Sequence, residues 1–493
     1  MNLGARMTDH LLGGLIVILA LLAADGAARP SGLRSVKGMA VLLGAGAALA
    51  GAAMLVTGAL VTSAVIVVLV AGAFTMISNI KRQVLGEPLV FSDFALVGAV
   101  FKHPHFYASA LKGWQIAAIG LGLAAIVVMT VLLSATDLMV RAAGLAIALV
   151  ATAGLRVTLA LPGWATLAGS PDIDRDVRNH GLIVTLLIYW HHWSRLPRLA
   201  PPALPKITFE ADQLVVVVQC ESFADPTDLF GTCEEPLAGL AKARSLAWRC
   251  GKLMAPGFGA YTMRTEFGAL FGLGEKELGL RRFDPFLTAM PVASGSLANR
   301  LGDERWTRVF LHPHDMRFYG RDRLMPAAGF DTIIDEQAFL PQERSGGRYI
   351  TDKALGDKLI SLAGGTSGSM LIYAVTIENH GPWGASSGEG PEDNKSGYLR
   401  LLRNSDALLS RLVDELPKLG RPVTLCLFGD HRPSIPIVCT PGGDRHTPFV
   451  ILRFEEDGTP ISSPHEHLEL TPAELHHEIL RTVEMRGHHR TGA

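Results

Sequence analysis

Charge is what the first third of this sequence lacks. Up to residue 165 the chain carries 5 acidic and 10 basic residues, against 41 and 35 beyond it, so the formal net charge of −1 conceals a sharp change of character. An acidic later part argues against a nucleic-acid partner, whose binding depends on clustered lysine and arginine. Cysteine is scarce as well. All five residues lie beyond position 200, as Cys220, Cys233, Cys250, Cys426 and Cys439. Their number is odd and no pair has zinc-finger spacing, which leaves scattered thiols or a single disulfide, with Cys233–Cys250 a candidate.

Where charge is missing, long apolar runs take its place. A helix needs about 20 apolar residues to cross a bilayer, and such runs fall at roughly 10–28, 38–57, 58–78, 115–134 and 138–160. The first ends in Ala-Asp-Gly-Ala-Ala, as a cleaved leader does, but four runs follow it, so an uncleaved anchor is expected. Together they predict an α-helical membrane domain of about five spans over residues 1–165. The shorter run Gly181–Trp190, followed by His191, His192 and Trp193, reads as interfacial, within a connecting region at 166–204. The loops at 29–37 and 79–114 hold Arg29, Arg34, Lys37, Lys81, Arg82, Lys102 and Lys112. Five spans with the C-terminal part outside would put these cations outside too, against the positive-inside tendency. The polar stretch from Asn79 through Gly86–Leu89 to Ser92-Asp93 reads either as a solvated hairpin or as a contact for lipid headgroups or an acceptor.

After a Pro-, Arg- and Leu-rich linker at Leu196–Pro205 the pattern changes, and residues 205–493 read as an α/β domain. Leu214–Val218 is a continuous, β-branched apolar run, as expected of a strand buried on both faces. It ends in Gln219-Cys220-Glu221-Ser222. Arg308–Leu311 ends in His312-Pro313-His314-Asp315, Met370–Ile377 in Glu378-Asn379-His380, and Val423–Phe428 in Gly429-Asp430-His431. Helical segments such as Tyr398–Leu416 lie between them, which implies strands alternating with helices in one sheet. Open α/β sheets bind ligands at the carboxyl ends of their strands, so four strands ending in carboxylates or imidazoles predict a site.

Glu221, Asp430 and His431 offer two carboxylates and an imidazole, a donor set that suits a divalent cation such as Mn²⁺ or Zn²⁺, with Mg²⁺ a further choice. Gly429 is expected to let the backbone turn at the strand end. The stretch Gly257–Gly272 places glycines ahead of Thr262 and a helical run after it, so Thr262 falls in a first helical turn, where unpaired N–H groups attract phosphate. A threonine hydroxyl becomes nucleophilic near neutral pH when a metal assists it; the plainer alternative makes Thr262 a helix N-cap.

The order of these motifs resembles the lipoteichoic-acid-synthase-like membrane phosphotransferases, a family of the alkaline-phosphatase/sulfatase superfamily that includes the phosphoglycerol transferases of periplasmic glucans. Glu221-Ser222, the Gly-x-x-Thr-x-x-x-Glu-Phe segment from Gly259 to Phe267, and Gly429-Asp430-His431 carry the resemblance, which spans essentially the whole chain. It implies a sulfatase-like fold, Thr262 as nucleophile, and a metal held by Glu221, Thr262, Asp430 and His431. Phe318-Tyr319-Gly320-Arg321-Asp322 resembles the segment that grips the phosphoglycerol group, so Tyr319 and Arg321 are implied at the substrate, with Arg321 on phosphate oxygens. Many family members carry Trp in place of Tyr319. His380 resembles a substrate-side histidine, and His446, in His446-Thr447-Pro448-Phe449, matches a motif of related phosphoethanolamine transferases. The resemblance implies transfer of phosphoglycerol from phosphatidylglycerol to an envelope glycan or polyglycerolphosphate chain outside the bacterial inner membrane. Phosphoethanolamine transfer to a lipid sugar and a non-catalytic membrane sensor are the alternatives. True sulfatase chemistry needs Cys or Ser in a Cys/Ser-x-Pro-x-Arg motif, and Cys439-Thr440-Pro441 lacks the arginine.

Overall fold

The computed structural model describes residues 3–96, 113–200, 212–231, 235–301, 305–346, 348–366, 368–384, 391–462 and 467–488. They form two compact units, Met1–Leu196 and Pro197–Ala493.

In the first unit, helices at Leu3–Ala27, Val36–Thr57, Leu60–Leu85, Gly113–Leu132 and Leu138–Leu159 coincide with the five apolar runs. Among the described residues, Val36–Thr57, Leu60–Leu85 and Leu138–Leu159 are long and apolar enough to cross a membrane. The other two contribute shorter apolar stretches, Val17–Ala27 and Gly120–Leu132, so three of the five expected spans meet that standard. Small residues bring helices together: a Cβ on Gly51 would lie 2.7 Å from the Gly144 carbonyl oxygen, and one on Gly144 would lie 2.6 Å from Met54 Cβ. Such glycines permit backbone approach where lipid supplies no hydrophobic drive.

Three of the loop cations, Arg34, Lys81 and Arg82, are held in ion pairs, whereas Arg29 and Lys37 are exposed. Arg34 Nε meets Asp25 Oδ2 at 2.8 Å, and its two Nη atoms donate to the carbonyls of Val177 (2.7 Å) and Asp25 (2.7 Å). The other Asp25 oxygen accepts from Leu182 N at 3.1 Å. Lys81 Nζ donates to Asp93 Oδ2 (2.6 Å), Pro88 O (3.0 Å) and Glu87 Oε1 (3.3 Å), and Arg82 pairs with Asp174. The polar stretch after Asn79 therefore engages its lysine within itself, which favours a structural hairpin over a headgroup contact. Lys102 and Lys112 lie outside the described residues. The segment expected at an interface is a helix, Leu182–Trp193, with Leu182, Val184, Ile188 and Tyr189 buried and Trp190 exposed.

The second unit is built on an eight-stranded sheet. Its strands are β1 (Leu214–Cys220), β2 (Arg249–Met254), β3 (Thr307–Leu311), β4 (Thr332–Ile334), β7 (Met370–Val375), β8 (Val423–Gly429), β9 (His446–Phe454) and β10 (His467–Leu470); β5 (Arg344–Ser345) and β6 (Tyr349–Ile350) form a separate hairpin. The order is β10-β2-β9-β8-β1-β7-β3-β4. The four strands expected from the sequence, β8, β1, β7 and β3, are neighbours and all parallel. β9 runs antiparallel between β8 and β2. Every residue of β1, β7 and β8 is buried, as a sheet covered on both faces requires. The helix expected at Tyr398–Leu416 extends over Pro391–Glu415, and its Tyr398, Leu402, Leu409 and Leu412 join the core on one face of the sheet. Cys220, Cys250, Cys426 and Cys439 are buried free thiols, whereas Cys233 lies outside the described residues.

Arg34→Met should destabilise the first unit, because it strands the Asp25 carboxylate, which is 4% exposed. Removing one member of a buried pair costs about 3–5 kcal/mol. A melting temperature of the detergent-solubilised chain equal to wild type would contradict this.

Candidate active site

The register of β1 against β8 sets the site. Cys220 pairs with Gly429, so the next residues, Glu221 and Asp430, leave the sheet side by side. His431 follows, and one donor atom from each of Glu221, Asp430 and His431 lies within 4.8 Å of the others. All three are buried. His431 Nε2 is 3.5 Å from Glu221 Oε1 and 3.6 Å from Asp430 Oδ2.

Each donor is held from behind. Ser222 Oγ donates to Glu221 Oε1 at 2.8 Å, and the backbone N–H groups of Ser222 and His431 both donate to Asp430 Oδ1 at 2.8 Å. His431 Nδ1 lies 3.1 Å from the Arg432 carbonyl. That contact fits an Nδ1–H donor and leaves Nε2 as the ligand atom. Asp430 Oδ2 is buried without a hydrogen-bond partner. Burial and the neighbouring Asp430 carboxylate push Glu221 well above the usual carboxylate range. An orphaned oxygen beside a second carboxylate and an imidazole is what a divalent cation satisfies, so these residues fit the metal that the donor set suggests.

Gly429 serves a different purpose from the one expected. Its φ is not in the left-handed region. A Cβ there would lie 1.9 Å from the Phe223 carbonyl oxygen, so close approach and not turning demands glycine. The tight turn comes instead at Ser222, with φ 50°, whose carbonyl accepts from Tyr398 Oη at 2.9 Å.

Thr262 is the first residue of a helix, Thr262–Phe271, and Tyr261, in the left-handed region, occupies the N-cap position without a side-chain cap bond. Thr262 is therefore not the N-cap. Its Oγ1 stands 3.5 Å from His431 Nε2, which brings the hydroxyl to the carboxylate–imidazole cluster. The Thr262 carbonyl accepts from Gln219 Nε2 at 3.5 Å, and Gln219 Oε1 accepts from Tyr373 Oη at 2.9 Å. Thr265, the neighbouring hydroxyl, donates to the Asp430 carbonyl at 2.7 Å and is fixed as a brace.

Arg321 is 1% exposed, and its fork is closed on Glu266: Nε to Oε1 at 2.9 Å, Nη2 to Oε2 at 2.5 Å. The edge expected to grip phosphate thus neutralises a fully buried carboxylate on the Thr262 helix, which would be costly to leave alone. Glu266 was legible as part of the Thr-x-x-x-Glu-Phe pattern, but nothing in the sequence named its partner. Tyr319 has φ 61°, lies edge-on to Phe286 at 6.2 Å, and places its ring 5.1 Å from the Arg321 guanidinium carbon. His380 Nδ1 is 2.8 Å from the Gly381 carbonyl, and burial lowers its pKa to about 3, so the ring is neutral. His312, which sequence reasoning placed at a strand end without a role, is buried with Nδ1 3.0 Å from the Val375 carbonyl. His446 is not brought into the three-residue cluster. It bonds Asp444 Oδ1 through Nδ1 at 2.8 Å, while Arg432, next to His431, holds both the His446 carbonyl and Asp444 Oδ2 at 2.8 Å.

Glu221→Ala and Asp430→Asn should each weaken metal retention by roughly tenfold or more, since even outer partners of a ligand contribute that much. Metal per chain after dialysis, read by elemental analysis, is the measurement. Wild-type stoichiometry in both variants would rule these residues out as ligands.

Residues 213–478 match the Sulfatase family. The chain is 29% identical over 436 residues to the capsular polysaccharide biosynthesis protein RkpI of Rhizobium meliloti (strain 1021), spanning 83% of this chain and 80% of that protein. It is 26% identical over 306 residues to a second protein of that organism, provisionally described as a cyclic β-1,2-glucan modification protein, with 56% and 47% of the two chains covered. Similar solved structures include the Streptococcus pyogenes phosphoglycerol transferase GacH in complex with sn-glycerol-1-phosphate, at 18% identity and TM-score 0.45 over 56% of this chain and 76% of that one. Another is the integral membrane lipooligosaccharide phosphoethanolamine transferase EptA of Neisseria meningitidis, at 13% identity and TM-score 0.48 over 91% and 95%. With more than half of its length matched, and the Glu221–Asp430–His431 cluster inside the matched region, the chain belongs to the Sulfatase family.

Proposed function

We propose that this protein is a membrane phosphotransferase that moves a phosphoglycerol group from phosphatidylglycerol to an envelope glycan through a phosphothreonine at Thr262. The observation that carries the reading is the approach of Thr262 Oγ1 to 3.5 Å from His431 Nε2, beside Glu221 and Asp430. The relative named for capsular polysaccharide biosynthesis, aligned over 83% of the chain, supports a glycan acceptor.

A divalent ion held by Glu221, Asp430, His431 and Thr262 would lower the hydroxyl's pKa and draw charge from the phosphoryl oxygens. In the first step Thr262 Oγ forms a bond to phosphorus, the bond from phosphorus to the diacylglycerol oxygen breaks, and the threonine proton ends on diacylglycerol. In the second, the acceptor hydroxyl bonds phosphorus, the Thr262 ester breaks, and the acceptor's proton returns to Thr262. The helix starting at Thr262 turns unpaired backbone N–H groups toward the phosphate. Arg321, fixed by Glu266, adds a permanent positive charge, and Tyr319 frames the headgroup. Neutral His380, its Nδ1 at 2.8 Å from the Gly381 carbonyl, is the substrate-side histidine of this reading.

One observation favours phosphoethanolamine as the transferred group: His446 is fixed by Asp444 and Arg432 beside His431, in a His-x-Pro-Phe segment. The two readings separate by mass. Acid-quenched protein incubated with both lipids should carry a glycerophosphate adduct on Thr262, and an ethanolamine phosphate adduct would replace the leading reading with the second. Thr262→Ala should abolish both adduct and transfer, a loss of several orders of magnitude, with folding intact. Transfer at the wild-type rate would overturn the nucleophile assignment.

The reading includes five spans, a cytoplasmic amino terminus and a catalytic unit outside the cytoplasmic membrane, where glycan acceptors are found. An alkaline phosphatase fused after Ala493 should be active and a fluorescent protein that folds only in the cytoplasm should be dark. The reverse pattern would place the catalytic unit inside and demand a different acceptor.

A further inference from the structure

We propose that Tyr261 is a positioning residue for the nucleophile, pinned in a left-handed backbone conformation by packing of its side chain against Gly257 and of its ring against the Arg264 guanidinium. The inference rests on Thr262 as nucleophile and adds what holds that residue in place.

Tyr261 has φ 76° and ψ 31°. A non-glycine residue in that region is strained, and it persists where its surroundings over-determine it. Three contacts do so here. The Arg264 guanidinium carbon lies 3.8 Å from the centre of the Tyr261 ring. The Arg264 backbone N–H donates to the Tyr261 carbonyl at 2.8 Å. A Cβ at Gly257 would fall 2.6 Å from Tyr261 Cδ2 and 2.8 Å from its Cβ, so the side chain fits because position 257 has none. Arg264 is itself anchored, with Nε donating to the Phe283 carbonyl at 3.1 Å, and both residues are buried. The preceding loop is tied to the metal-ligand loop, since Gly259 N donates to the carbonyl of Arg432 at 2.9 Å.

The left-handed residue is what starts the helix abruptly at Thr262. Returning φ of Tyr261 to the ordinary negative region would swing the Thr262 amide and hydroxyl away from His431. A glycine at 261 would reach the left-handed region with less strain but would also leave it easily. Tyrosine supplies a handle: the ring lets Arg264 and Gly257 convert a strained dihedral angle into a fixed one. A displacement of about 1 Å at a reacting atom costs on the order of a hundredfold in rate, so the clamp acts on kcat and not on lipid binding.

The test uses the full-length protein in lipid–detergent micelles, with Arg264→Met, Arg264→Lys, Tyr261→Gly and Thr262→Ala compared for kcat, KM for the donor lipid, bound metal and melting temperature. Arg264→Met and Tyr261→Gly should lower kcat by roughly tenfold to a hundredfold, with KM and metal content within about twofold of wild type. Arg264→Lys should recover most of the rate, because an ammonium over the ring retains the cation–π contact. Wild-type kcat in folded, metal-loaded Arg264→Met would overturn the proposal, as would loss of metal in step with activity, which marks a purely structural role. If Tyr261→Gly does not fold, the Met and Lys variants at 264 decide. Activity surviving in Thr262→Ala overturns the nucleophile itself, whereas an inactive Thr262→Ala beside a fully active Arg264→Met overturns the clamp alone.

Discussion

Two carboxylates that leave adjacent parallel strands at the same level set the terms for everything around them. β1 and β8 pair so that Cys220 faces Gly429, and Glu221 and Asp430 must then share one buried space. Neither side chain can move aside: the Ser222 amide and hydroxyl and the His431 amide hold them from the protein side. Like charges in low dielectric repel and are poorly solvated, and the raised pKa of Glu221 expresses both effects. A bound cation would resolve the conflict. The sheet therefore does more than carry the site, because the close approach of Gly429 to Phe223 fixes the strand ends where that conflict arises.

The Thr262 helix is coupled to this pair at three points. Thr265 donates to the Asp430 carbonyl, Gln219 at the end of β1 donates to the Thr262 carbonyl, and Glu266 receives the Arg321 fork. The first two tie Thr262 to the same strand ends that carry Glu221 and Asp430, so its hydroxyl is braced against the carboxylate cluster. The third brings a permanent cation to the helix while leaving no buried charge unpaired. Arg321 lies close enough to Glu221 to draw its pKa downward, against the burial and the Asp430 repulsion that dominate. The guanidinium thus holds the helix through Glu266, and under the proposed function it would also supply positive potential to phosphate.

The centre of the sheet was legible in the sequence and its edges were not. β1, β3, β7 and β8 are apolar runs that stop at polar residues, because both of their faces are covered. β2 contains Arg249, Gly251 and Lys252, and β10 alternates exposed and half-buried residues, so neither stands out from a loop by composition. Local pattern also carried Thr262 to a first helical turn but not past it. The N-cap role fell to Tyr261, whose left-handed backbone depends on Gly257 and Arg264 and so on contacts that no single window of sequence displays. Arg321 is the same lesson in reverse: its position in a motif suggested phosphate, while its fork is fixed by Glu266, 55 residues away.

The membrane unit shows why counting loop cations and weighing them are different exercises. Arg34, Lys81 and Arg82 are all paired with carboxylates, and Arg34 also collects backbone carbonyls from the Ile173–His180 helix. In the folded protein these cations are structural cross-links, so their presence gives the loops no particular affinity for anionic headgroups. The positive-inside tendency, however, acts on lysine and arginine while the chain inserts and takes little notice of nearby acids. Pairing seen in the finished fold therefore neither enforces nor cancels that tendency. Orientation follows instead from the number of crossings, and for a long domain flanking charge is a weak guide.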